Sequence, residues 1–79
     1  MSSQPDSRDL TVTADMVANV IAINTAVGDV VEDGQTLLVV ESMKMEIPIT
    51  APAAGTITSI GVALGDIVQE GDALVAIRR

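Results

Sequence analysis

The chain repeats itself. Displaced by 37 residues, it lies over itself without a gap. Ala14 falls on Ala51, Val20 on Ile57 and Ile23 on Ile60. Ala26-Val27-Gly28-Asp29-Val30-Val31 falls on Ala63-Leu64-Gly65-Asp66-Ile67-Val68. Gly34, Leu37 and Val40 fall on Gly71, Leu74 and Ile77. Self-similarity at a fixed period marks a repeat architecture. Two copies of a unit of about four strands do not extend into a solenoid, because neither has a face left to stack. They close instead into a pair of small sheets around one shared core, related by a pseudo-twofold axis.

The residue types agree with strands. Eleven Val and eight Ile are spread through short runs. β-branched side chains suit a pleated, half-buried surface better than a helix. Gly and Asp interrupt the runs too often for a long helix. The continuous run Leu37-Leu38-Val39-Val40 reads as a buried strand, as do Thr56 to Ile60 and Leu74 to Ile77. Gly28, Gly34, Gly65 and Gly71 read as positive-φ positions in tight turns. A phosphate-binding loop needs more glycines and a following helix, and neither is present. Pro48 and Pro52 belong at an edge or a strand end, since proline cannot donate to a ladder. Residues 1–10 are polar, carry Pro5 and have no periodicity. They are expected to form a disordered lead-in to one folded domain over residues 11–79.

Composition removes most chemistries. The chain has no Cys, His, Phe, Tyr or Trp. That excludes a thiol nucleophile, a histidine base, a disulfide and an aromatic stacking platform, and it removes the usual zinc ligands. The formal charge is −7, so nucleic acid and anionic membrane are poor partners. The apolar runs are too short to cross a bilayer, and the start of the chain lacks a secretion-signal pattern. A cytoplasmic protein is expected. Asp29, Glu32 and Asp33 cluster without the EF-hand ligand spacing, so the acids read as solvated surface charge rather than a metal site.

What remains is Glu41-Ser42-Met43-Lys44-Met45-Glu46. It lies between the two copies, at the one hairpin that the repeat does not duplicate internally. Shifting Lys44 by the repeat gives positions 7 and 81, so the mate of this turn is the pair of chain ends. The domain is therefore expected to hang from its termini at one pole and to show Lys44 at the other. A two-residue turn at Met43-Lys44 forces positive φ on residues that disfavour it. A locally unfavourable choice points to function rather than folding. Met43 and Met45 are soft apolar side chains beside an exposed tip, suited to a partner's grip. A lysine that performs chemistry unaided needs burial or a neighbouring cation. Glu41 and Glu46 provide the opposite, so the amine reads as a group for another enzyme to acylate.

These residues resemble the biotinyl branch of the biotinyl/lipoyl attachment-domain family. Glu41-Ser42-Met43-Lys44-Met45 is similar to its attachment motif. The likeness runs over about residues 12–78, through both Gly-Asp-x-Val-x-x-Gly turns and Ala51-Pro52-x-x-Gly55. The resemblance implies an all-β fold: a flattened barrel, or sandwich, of two four-stranded antiparallel sheets with an internal pseudo-twofold repeat, the barrel-sandwich hybrid. It implies biotin as cofactor, attached to Lys44 by a biotin protein ligase. It implies a carrier without catalysis of its own, which shuttles a carboxyl group on biotin from a biotin carboxylase to a carboxyltransferase. That carrier would serve an acyl-CoA or 2-oxoacid carboxylase. Glu41, Ser42, Met43, Met45 and Glu46 would serve recognition by the ligase and the partner enzymes. A lipoyl carrier of a 2-oxoacid dehydrogenase or glycine cleavage system is the alternative. Met on both sides of the lysine argues against it. Three departures stand out. Ala14-Asp15-Met16-Val17-Ala18 replaces the first Ala-Pro-x-x-Gly, so a looser bend is expected there. Ser42 stands where many biotinyl domains carry Ala. The gap-free repeat leaves no room for the inserted "thumb" segment of some carriers.

Overall fold

The computed structural model describes residues 9–79. The expectation for residues 1–8 lies outside the described residues. Eight strands follow one another: β1 (Asp9–Thr13), β2 (Ala18–Ile23), β3 (Val30–Val31), β4 (Thr36–Ser42), β5 (Met45–Thr50), β6 (Gly55–Ile60), β7 (Ile67–Val68) and β8 (Ala73–Arg78). β1 begins at Asp9, two residues ahead of the expected domain start at Thr11, because Asp9 and Leu10 pair with Arg78 and Ile77 of β8.

The strands form two four-stranded antiparallel sheets, β1-β8-β6-β3 and β5-β4-β2-β7. The repeat maps one order onto the other, with β1 on β5, β2 on β6, β3 on β7 and β4 on β8. The bonds that extend the ladders into the turns come in mates as well. Gly28 N–H donates to the Ile57 carbonyl, and Gly65 N–H to that of Val20, both at 2.8 Å. Gly34 N–H donates to the Ala51 carbonyl, and Gly71 N–H to that of Ala14, again at 2.8 Å. Those four glycines are the only ones at positive φ among the described residues, between 85° and 95°. Each thus supplies both a left-handed turn and a bond that continues a strand ladder within its sheet. The two bends start from the same bond. Ala14 N–H reaches the Asp72 carbonyl and Ala51 N–H that of Gln35, each at 2.9 Å.

Some of the acids have a local duty. The carboxylates of Asp29 and Asp66 accept the N–H of Ala26 and Ala63 at 2.9 and 2.8 Å. The Asp72 carboxylate accepts the Gln69 N–H at 2.9 Å. A short acceptor that bonds its own turn locks that turn, so these three are more than solvated charge.

The core is aliphatic. Leu37, Leu38, Ile57, Leu74 and Ile77 are its largest fully buried side chains, joined by Val20, Val31 and Val75. Leu37 and Leu38 are consecutive, yet both point inward. A register irregularity between Thr36 and Leu38 against β5 allows this, and one between Val12 and Thr13 does the same for Leu74 and Val75. A bulge inserts one residue and turns the next to the same face. The run Leu37-Leu38-Val39-Val40 is therefore a bulged strand of a half-buried sheet. Val39 is only partly buried.

Candidate functional site

β4 and β5 form a hairpin with Ser42 opposite Met45 and only Met43 and Lys44 between them. β5 is an edge strand, which is why Pro48 is tolerated opposite Val39. Met43 has φ 52° and Lys44 φ 66°. Both turn residues are left-handed, as a type I′ hairpin demands. They are the only non-glycine residues at positive φ among the described residues. Asn-Gly is the usual solution for such a turn, so Met-Lys carries strain that the fold does not require. Replacing the pair, Met43→Asn with Lys44→Gly, is expected to raise stability by about 1 kcal/mol. Urea denaturation of the two proteins checks it. A loss of stability would mean that the turn residues hold the hairpin by packing.

Lys44 is exposed. Among the described residues no hydrogen bond or ion pair engages its ammonium. It is the chain's single lysine. Met43 is 92% exposed and Met45 64%, so neither serves the core. Glu41 and Glu46 stand directly opposite each other at the base of the tip. Glu46 is exposed, whereas Glu41 and Ser42 are half-buried. The hairpin therefore gathers all six sequence-singled residues, Glu41 to Glu46, on one tip. Its mate in the other sheet is formed by the chain ends, where Asp9 faces Arg78.

Sequence reasoning missed one wall of this tip. An open groove runs beside it, lined by Met16, Val17, Asn19, Glu41, Met43 and Ile67 among others. The missing signal lay in the repeat: Met16-Val17 falls on Ala53-Ala54, a change from large to small at an equivalent bend. Among the described residues no group of three or more acids converges to hold a metal.

A single amine displayed on a rigid β-hairpin can be acylated and can then carry its acyl group on a long arm. Known proteins bear on this geometry. The chain is similar to part of a single-chain, multi-domain long-chain acyl-CoA carboxylase, at 25% identity and a TM-score of 0.86 over 100% of this chain. It is also similar to part of the urea carboxylase of Kluyveromyces lactis, at 29% identity and a TM-score of 0.84 over 96%. It spans 8% and 7% of those two proteins. The lipoyl domain of the 2-oxoglutarate dehydrogenase complex from Azotobacter vinelandii shares the fold. Its identity is 22% and its TM-score 0.70, over 100% of this chain and 91% of that domain. Comparison with curated proteins gives no match. A family model described as "Biotin-requiring enzyme" matches residues 10–77, nearly the whole domain, and the chain belongs to that biotin/lipoyl family.

Proposed function

We propose that this chain is a biotin carboxyl carrier domain and that Lys44 is the residue acylated with biotin. The observation that carries the reading is the strained, fully displayed Met43-Lys44 turn. The residues present fit the group: an amide to a bulky ring needs an amine clear of the fold, and Lys44 is exposed and unengaged among the described residues. Both carboxylases to which the chain is similar support this reading over a lipoyl one. The likeness to the lipoyl domain speaks for the fold alone.

The chain's own part is mechanical. The β4–β5 hairpin holds the Lys44 backbone fixed at the tip, while the side chain supplies a flexible stem. Met43 and Met45 present apolar surface on either side of it. When bound, biotin carries a carboxyl unit between a biotin carboxylase and a carboxyltransferase. The tether confines that unit near both active sites, which raises its effective concentration. The domain performs neither reaction itself.

Expressed together with a biotin protein ligase and free biotin, the chain is expected to gain the mass of one biotinyl group. Intact-mass analysis checks this, with peptide mapping to place the group on Lys44. A chain that gains only a lipoyl group when both ligases are supplied overturns the reading in favour of a lipoyl carrier.

A further inference from the structure

The duplicated copy provides an internal reference for what the Lys44 end has added. On the second sheet, register places Glu46, Glu41, Asn19 and Ile67 side by side across β5, β4, β2 and β7. Their mates on the first sheet are Asp9, Arg78, Thr56 and Val30, side by side in the same way. The reference row is balanced, with Arg78 Nε 3.7 Å from an Asp9 carboxylate oxygen. The Lys44 row sets two carboxylates opposite each other. Like charges directly opposite destabilise a sheet, so the fold alone gives no reason for the change. The flanking bend changes too: Ala53 and Ala54 stand in the reference where Met16 and Val17 stand here. Val17 is 61% exposed and Ile67 70%. Larger apolar side chains and a carboxylate thus appear together, on the flank of the hairpin that carries Ser42 and Met43.

We propose that this groove is the docking surface for the enzyme that acylates Lys44, and that this enzyme seats an apolar side chain between Met16, Val17, Met43 and Ile67 while a cationic side chain meets Glu41. The inference rests on the reading of Lys44 as an acylated residue. The charge is the argument for the occupant's chemistry: Glu41 and Glu46 are partners across β4 and β5, and a cationic side chain beside them is complementary. The timing argues for its identity. The acylating enzyme meets the bare domain and must select it by protein surface alone, whereas later enzymes also have the attached group to recognise. An apolar centre with a charged rim is the ordinary anatomy of such a contact. Selection therefore extends beyond the hairpin to the first bend, which lies far away in sequence.

The test compares rates of Lys44 biotinylation by a purified biotin protein ligase, followed by intact mass. Met16→Ala with Val17→Ala converts the groove to its mate's residues, and Glu41→Gln removes one carboxylate at constant shape. Each is expected to lower kcat/KM by about tenfold, chiefly through KM, without lowering the unfolding midpoint. Leu64→Ala removes an equally exposed apolar side chain outside the groove and is expected to label at the wild-type rate. Added salt should slow the wild type more than Glu41→Gln. Groove variants that label at the wild-type rate overturn the docking surface, and so do groove variants whose only change is in self-association by light scattering. A wild-type chain that takes no label overturns the underlying reading of Lys44 instead, and the docking surface with it.

Discussion

Lys44→Arg is expected to abolish incorporation of biotin and to leave the fold as it was. Arginine keeps the charge and the length of the stem, but its guanidinium stays protonated and delocalised and does not act as an amine nucleophile. The substitution adds no new strain, because arginine meets the same positive φ that lysine already tolerates at 66°. It breaks no contact that the fold uses, since the side chain is exposed. Stability is therefore expected within about 0.5 kcal/mol of wild type. The chain has one lysine, so the only other primary amine is the α-amino group. The expected result is no biotin by streptavidin blot and no mass gain, beside an unchanged urea midpoint. Residual label on the variant would place attachment elsewhere and remove the functional reading.

The two halves of that result separate function from folding, and so does the turn. A hairpin of this geometry asks for Asn-Gly. Met43-Lys44 is worse for the hairpin, and the strain is retained where the amine is presented. Strain of this kind is informative only beside turns that lack it. Gly28, Gly34, Gly65 and Gly71 occupy their positive-φ positions without cost to a side chain.

Most of this was legible because the repeat supplied long-range information that propensity lacks. Once Val20 lies over Ile57 and Leu37 over Leu74, the pairing of β2 with β4 implies that of β6 with β8. The left-handed Met43-Lys44 turn was legible because a two-residue hairpin loop restricts φ so strongly. Three things were not. The bulges beside Leu38 and Leu74 depend on partner strands, so a run of four apolar residues gave no sign of which would face outward. Gly55 is not in a left-handed turn. Its absent Cβ would sit 2.5 Å from the Arg78 carbonyl oxygen and 2.6 Å from Ile77 Cγ2, a close approach that only coordinates reveal. The groove joins Met16 and Val17 to Met43 across 26 residues of chain or more, and apolar residues in a bend carry no label of what they will face. The extra strand residues Asp9 and Leu10 were hidden for a different reason: the alternation of β1 rests on Leu10 and Val12 alone, too short to stand out beside the polar residues before it.

Leu74→Ala and Leu37→Ala are expected to destabilise the domain by about 2–5 kcal/mol each, and by similar amounts. Both side chains have 0% relative exposure, and they are mates under the repeat. Each sits at a bulge that turns it and its neighbour inward. The chain has no Phe, Tyr or Trp, so no large flexible ring lies nearby to swing into the space. A rigid aliphatic core relaxes little around a truncated leucine, and the cavity adds its own cost to the lost transfer energy. A domain this small has a total stability near the low end of about 5–15 kcal/mol, so either substitution brings it close to unfolding at 37 °C. Urea denaturation at 15 °C measures both variants while they remain folded. Near-equal losses are expected because the two leucines occupy equivalent positions in one shared core. A cost below about 1 kcal/mol at either site, or a large loss at Leu37 alone, would mean that the two copies do not hold the core jointly. In that case the hairpin bearing Lys44 would rest on its own sheet, and the second copy would be only a cover.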